Sequence, residues 1–272
     1  MKRSVRRFLA AAACAAAVIL VCFSANAGVK EKYSADRSRI NYVLEDGNVA
    51  PEHWEKKAGN WYYYTEDGSC IKDNLIVAYD DKYYYLDASG KLVKSTERKI
   101  HGITYTIDSK GVATVKKTED EAEVEAYAAE LAAEITGNCK TDQEKVSAIF
   151  NYCYNGVLVN GTPLDSDGQD LLDGAMTGFD RMQGNCFTQA SMCHYLLQAV
   201  GIKDMLVGNT GTSSHWWNLV KIGDSYRHVD CTPFNGFTGG NQTTTKELKA
   251  KSTSDETKVC HTYDEGNYPK AY

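Results

Sequence analysis

Three stretches of the chain repeat apolar residues at helical spacing. The first follows Thr118 and carries Val124, Tyr127, Leu131 and Ile135 on one face up to Gly137. The second follows Thr141 and carries Val146, Ile149, Phe150 and Cys153 up to Asn155-Gly156. Both open as capping boxes, Thr118 with Glu121 and Thr141 with Glu144. The third starts at Asn185, a good N-cap, and places Phe187, Ala190, Cys193 or His194, and Leu197 in step before Gly201 stops it. The stripes predict core faces.

Elsewhere the pattern is that of strands or of nothing regular. His215 to Ile222 and Ser225 to Asp230 predict two strands joined at Gly223-Asp224, a two-residue hairpin signal. From Gly59 the chain repeats itself: GNWYYYTEDGSCI, then DKYYYLDASGKLV, then GITYTIDSKGVAT. Each copy predicts an aromatic or β-branched strand, a turn ending in Gly68, Gly90 or Gly111, and a short returning strand. Hairpins this small bury a face only by stacking. Residues 28–57 lack periodicity and read as a linker. Residues 156–185, rich in Gly and Asp, read as a long loop entering the third helix. After Pro233 the chain is polar until Cys260 and Tyr263, and predicts no role.

The chemistry gathers around the third helix. Cys186 falls in its first turn, where free backbone N–H groups and the positive end of the dipole favour a thiolate, the nucleophilic form. With a two-residue hairpin loop, Asp230 lies opposite Trp217. His215 and Asp230 then share a face as diagonal neighbours, roughly 7–8 Å apart at the backbone. A carboxylate reaches an imidazole across that gap. A buried structural thiol is the plain alternative for Cys186 taken alone. His194 lies two turns along the helix from Cys186, too far to serve as its base. Trp216 and Trp217 read as packing, and His228 as a core or supporting residue.

The ordered set Gly184-Cys186, Ala199-Gly201-Ile202, His215-Trp217-Asn218 and His228-Asp230-Thr232-Pro233 resembles the core of bacterial transglutaminase-like proteins, extending more weakly back to about Glu119. The resemblance implies an α+β, papain-like fold with a Cys186-His215-Asp230 triad. For the oxyanion, the Cys186 backbone N–H is one candidate donor and the Gln183 side chain the other. The W-Y-Y-x-x-x-x-G repeats resemble the choline-binding and related cell-wall-binding repeats of Gram-positive surface proteins. They imply retention on a wall polymer through residues 59–116. The Gly-Trp pairs of such repeats are replaced here by Leu75-Ile76 and Lys99-Ile100.

Composition sharpens the setting. Residues 1–27 read as a secretory signal peptide, with Lys2, Arg3, Arg6 and Arg7 before an apolar stretch and an Ala25-Asn26-Ala27 cleavage site. Removing them takes four of the 30 basic residues and none of the 36 acidic ones, leaving a net charge of −10. That argues against a nucleic-acid partner. Seven cysteines remain, so at least one thiol is unpaired; with Cys186 free, the other six allow up to three disulfides. The chain has no C-x-x-C pair, and Asp165, Asp167, Asp170 and Asp173 do not fit a calcium loop. Neither a metal nor a cofactor is expected.

The sequence thus predicts four parts: signal peptide 1–27, linker 28–57, β-hairpin repeats 58–117 and a transglutaminase-like catalytic domain 118–272. The expected activity is that of a secreted or cell-surface thiol enzyme, a cysteine peptidase or acyltransferase acting on protein or peptide amides. Water is favoured over an amine as acceptor, because a polar, acidic loop before Cys186 is a poor barrier to solvent. Two other readings remain: a wall-binding protein with a non-catalytic domain, and an amidase or acyltransferase on a non-protein substrate.

Overall fold

The computed structural model describes residues 30–44, 46–159, 170–210, 214–234, 237–251 and 261–272. The expected signal peptide, Asp165, Asp167 and Cys260 lie outside them. The described chain opens with an antiparallel meander of β1 (Lys30–Tyr33), β2 (Arg39–Val43), β3 (Val49–Lys57) and β4 (Asn60–Tyr64). The expected linker is therefore mostly strand. Its alternation is hidden because one inward position of β3, between Ala50 and Trp54, is the fully buried Glu52.

A second antiparallel sheet runs in the order β5 (Asn74–Val77), β6 (Tyr83–Leu86), β9 (Val112–Val115), β8 (Ile103–Ile107), β7 (Thr96–Ile100). The repeat turns form as hairpins. At each, the glycine N–H donates three residues back: Gly68 to Thr65 O (3.0 Å), Gly90 to Asp87 O (2.7 Å) and Gly111 to Asp108 O (3.1 Å). The returning strands pair as Cys70 with Tyr64, Leu92 with Leu86, and β9 with β8. Stacking buries their rings: Trp54 meets Tyr63 at 4.8 Å and Tyr84 at 5.0 Å, both edge-on.

The second half is α+β. It contains α1 (Glu119–Thr136), α2 (Asp142–Gly156), a short parallel pair β10 (Leu158–Val159) and β11 (Gln183–Gly184), α3 (Leu171–Arg181) and α4 (Cys186–Ala199). An antiparallel sheet follows, ordered β12 (Asp204–Gly208), β13 (Trp216–Ile222), β14 (Ser225–Phe234), β15 (Phe237–Thr243), and then α5 (Thr245–Lys251). The α4 helix is buried from Phe187 to Leu197, with α1, α2 and α3 packed on it and β12, β13 and β14 against it.

Two details of the helices differ from the pattern. At α1 only half of the capping box forms: Thr118 accepts from the Glu121 N–H, but Glu121 itself is buried and accepts from the Tyr195 hydroxyl at 2.6 Å. The buried seam of α1 runs through Val124, Ala128 and Ala132, with Leu131 and Ile135 only partly covered, because alanines let α1 approach α4 closely. The expected loop before Cys186 contains the helix α3, capped by Asp170, which accepts from the N–H groups of Leu172 and Asp173. Its glycines look like loop residues but serve packing. A Cβ at Gly174 would lie 2.4 Å from Ser191 Oγ, and one at Gly178 2.3 Å from Met192 Sδ. Each glycine costs a helix about 1 kcal/mol relative to alanine, offset here by close contact with α4.

The halves are joined by specific bonds. The Tyr83 hydroxyl donates to Asp204 O (3.0 Å) and accepts from Gln198 Nε2 (2.7 Å). Tyr226 donates to Val77 O (2.8 Å), and Leu171 N–H to His101 O (2.9 Å). Buried Lys221 pairs with Asp81. The C-terminal segment returns to the repeats, where Asn267 accepts from Lys72 N–H (2.7 Å) through its side chain and from Asn74 Nδ2 (2.8 Å) through its carbonyl.

Candidate active site

Asn185 caps α4 by accepting from the Thr188 N–H, and Thr188 returns the bond to the Asn185 backbone, completing a capping box. The strand leading in passes so close that a Cβ at Gly184 would lie 2.3 Å from Thr188 Oγ1. This clamp fixes Cys186 as the first residue of the helix, half-exposed and free. Its thiol lies 3.9 Å from the Ser214 carbonyl, beside His215.

The hairpin has the expected register, pairing Asn218 with Val229 and Ile222 with Ser225. That parity turns His215 and Asp230 toward each other: His215 Nε2 and Asp230 Oδ2 are 2.8 Å apart, both buried. With Nε2 engaged, Nδ1 is the imidazole nitrogen left for the Cys186 thiol. Burial alone would disfavour the imidazolium. The Asp230 charge and hydrogen bond, with Cys186 adding to them, outweigh it and push His215 up to about 10. Asp230 is also desolvated, yet the hydrogen bonds and charges of His215 and His261 hold its carboxyl well below the usual carboxylate range.

His261 was not legible in the sequence. It reaches in from the C-terminal segment, buried, with Nε2 2.8 Å from the same Asp230 oxygen. The other oxygen, Oδ1, accepts from the Thr232 N–H at 3.0 Å. Nearby, Trp217 stacks on His215 (5.7 Å, 24°) and donates its indole N–H to His228 Nδ1 at 3.0 Å. His228 Nε2 must then carry the hydrogen, facing Tyr263 Oη (3.1 Å) and Thr245 Oγ1 (3.2 Å). Burial, with His261 nearby, pushes His228 down to about 3, so it is neutral at physiological pH.

The other residues singled out by the sequence have partners of their own. Gln183 is exposed in β11, pairing with Leu158. Asn218 holds the sheet to α4, donating to Ala190 O (3.1 Å) and Asp204 (2.8 Å). Trp216 packs edge-on against Phe187 at 5.7 Å. The described cysteines, Cys70, Cys139, Cys153, Cys186, Cys193 and Cys231, are all free. Donor atoms of His215, Asp230 and His261 lie within 4.8 Å of one another, a set with the composition of a metal site.

In fold and site the chain is similar to a transglutaminase-like core preceded by strand repeats. Residues 129–231 match the model of the transglutaminase-like superfamily, and residues 53–96 that of the choline-binding repeat. Among solved structures, a candidate cysteine protease from Cytophaga hutchinsonii is 20% identical over 43% of this chain and 41% of that one, with a TM-score of 0.36. The present chain thus spans well under half of that protein. The choline-binding domain of a Streptococcus pneumoniae protein is 25% identical over 24% of this chain and 94% of that one, at a TM-score of 0.21. A cell-wall endolysin from phage Cp-1, complexed with choline, is 21% identical over 32% and 25% at the same TM-score. No curated protein matches the chain.

Proposed function

We propose that this protein is a secreted thiol enzyme that opens protein or peptide amide bonds through a thioester on Cys186. The observation that carries this reading is the alignment of a half-exposed thiol at a helix start, an imidazole beside it, and a buried, ionised carboxylate on the imidazole's far nitrogen. The sulfur attacks the amide carbonyl carbon, and the C–O π electrons move to oxygen. The Cys186 N–H, without an intrahelical acceptor at the first helical position, is one donor to that oxygen. Gln183 is the proposed second donor. When the oxyanion collapses, the C–N bond breaks and His215 gives its proton to the departing amine. His215 then takes a proton from the incoming water, whose oxygen bonds to the acyl carbon as the thiolate leaves. Asp230 holds the imidazole in the required tautomer throughout.

Water is the proposed acceptor in preference to an amine, since Cys186 remains partly open to solvent. Residues 53–96 are proposed to hold the enzyme on a cell-wall polymer, on the strength of their repeat match. Trp61, Tyr62 and Tyr64 are the rings of the first repeat left partly exposed, although Lys57 already covers Tyr64 at 4.6 Å. The test of the chemistry incubates the protein with a glutamine-containing peptide and millimolar labelled primary amine, and weighs the products. Free acid from the wild type and no product from Cys186→Ala is the expected result. Amide as the main product would replace hydrolysis by transfer, and turnover surviving in Cys186→Ala would remove the thiol mechanism.

A further inference from the structure

We infer that His261 is a positioning residue for the Cys186-His215-Asp230 site: through its hydrogen bond to Asp230 and its contact with the His215 ring, it fixes both in the arrangement that proton transfer needs. The inference rests on the triad reading above and adds to it a fourth residue, delivered by a separate segment of the chain.

Asp230 Oδ2 receives both imidazoles, each through Nε2 at 2.8 Å, and Oδ1 receives the Thr232 N–H. An ionised carboxylate has no hydrogen to give, so both Nε2 atoms carry one. Three donors on two oxygens leave the Asp230 side chain one orientation. Without His261, Oδ2 would keep a single partner and the carboxylate could rotate about its Cβ–Cγ bond in a space enlarged by a missing ring. The His261 ring also stands edge-on to His215 at 5.1 Å and 86°, and to Trp217 at 5.1 Å. With Trp217 stacked on His215, the base is held between two rings that do no chemistry.

The segment carrying His261 is itself tied down. Thr262 O accepts from the Thr210 N–H at 2.6 Å, and the Thr262 N–H donates to Asn209 Oδ1 at 2.8 Å. Tyr263 packs edge-on against Trp217 (5.6 Å), and Ala271 O accepts from the Thr245 N–H at 2.9 Å. His261 is therefore placed with the rigidity of the sheet. Its electrostatic action on His215 runs through Asp230: a carboxylate shared by two N–H donors attracts the His215 proton less than one serving His215 alone. The titratable groups facing this cluster are Cys186 from α4, His215 ahead of β13, His228 from β14 and Tyr263 from the C-terminal segment.

The test uses the full chain and two readouts: turnover on the peptide, and the pH dependence of Cys186 alkylation by iodoacetamide, which needs no substrate. Three variants are compared with wild type. His261→Phe keeps a ring and removes the donor; His261→Gln keeps an N–H at similar reach; His215→Ala calibrates loss of the base. The expected result is a fall in kcat of about 10- to 100-fold for His261→Phe, of the size seen when supporting contacts of a reactive group are lost. KM changes little, the alkylation profile shifts, and His261→Gln recovers most of the rate. A folded His261→Phe with wild-type kcat and an unchanged profile would sink the inference. So would a His261→Gln as poor as His261→Phe, which would make the role one of ring packing alone. If His215→Ala moves the profile while His261→Phe does not, the triad stands and only His261 falls. If neither moves it, both readings fall together.

Discussion

Two of the buried histidine–aspartate contacts among the described residues have the same length, one made through Nε2 of His215 and one through Nδ1 of His194, and only the first is proposed to do chemistry. His215 meets Asp230 at 2.8 Å, and His194 meets Asp204 at 2.8 Å, both carboxylates shielded from solvent. They part company in what else each touches. The far nitrogen of His215 faces a thiol at a helix start. His194 packs edge-on against Tyr195 at 5.3 Å and borders a small cavity lined by Leu75, Ile100, His101 and Leu206. Asp204 is also bound by Gln198 (2.9 Å) and Asn218 (2.8 Å), while its carbonyl accepts from Tyr83 of the repeats. These bonds and the charge of His194 hold it low despite burial. One pair is proposed to finish a reaction path; the other fastens α4, the sheet and the repeats together. A His–Asp contact becomes catalytic only through its third neighbour.

The largest effect expected from breaking this comparison is at Asp230. Asp230→Asn removes the charge that stabilises the imidazolium, and kcat should fall on the order of 10³- to 10⁴-fold, as for the buried aspartate of serine-protease triads. The pH profile carries the same information. With His215 raised to about 10, the wild-type rate should stay level from neutrality to about that pH and then decline, and Asp230→Asn should move the decline to lower pH. The sign for stability follows. The pairing of His215 contributes fully below its ordinary 6.5 and is lost as pH rises through about 10. Asp230, held low, contributes above its ordinary 3.8 and loses that contribution on acidification. A wild-type rate that rises and falls around pH 6.5 would contradict the coupling.

Removing the repeats tests the structural pair from the other side. A chain beginning at Thr118 would strip Tyr83 from Asp204 and Gln198, and Val77 from Tyr226. It should lose cooperative unfolding by calorimetry, where independent halves would leave a sharp transition for residues 118–272. His194→Ala is the milder version: it leaves the buried Asp204 charge without its imidazole and should cost about 3–5 kcal/mol in urea unfolding. Turnover per folded molecule should stay within about threefold of wild type, since a residue remote from the chemistry acts mainly on stability. A hundredfold loss of kcat in folded His194→Ala would mean that the two pairs are not distinct in role.

The smallest effect concerns Glu52, a buried acid that has no histidine. Neither Glu52 oxygen makes a well-formed hydrogen bond, and burial pushes the group up, with the nearby Tyr79 hydroxyl only partly offsetting it. A raised carboxyl contributes stability that is complete below its ordinary 4.5 and lost as pH rises through the folded value. Glu52→Gln should therefore stabilise the protein against urea at neutral pH and lose that advantage toward pH 4. Equal gains at both pH values would show that the carboxyl is not the cause.

That same residue shows why part of the fold was hidden from the sequence. The reading of β3 failed because its inward alternation passes through Glu52, and that of α3 because Gly174 and Gly178 carry the close packing that usually marks helices by larger side chains. Cys186, His215 and Asp230 were legible because local rules place them: a cap, a glycine stop and the parity of a two-residue hairpin. His261 obeys no local rule. It is separated from Asp230 by 31 positions and lies in a polar stretch without period, so only the fold brings it in. The repeats were legible as hairpins, but not their attachment, since Tyr83 and Val77 look like any other strand residues.

The position of His261 also gives the site an order in time. A chain emerging from the ribosome, or threading a membrane from its front end, presents the repeats first, then the thiol, then the imidazole and its carboxylate. The segment 261–272 that locks Asp230 and clasps Lys72 and Asn74 comes last. Until it arrives, Cys186 and His215 stand beside a carboxylate that lacks one of its donors, and a fragment severed anywhere before His261 stays in that condition. Under the proposed role of His261, full activity waits on delivery of the whole described chain.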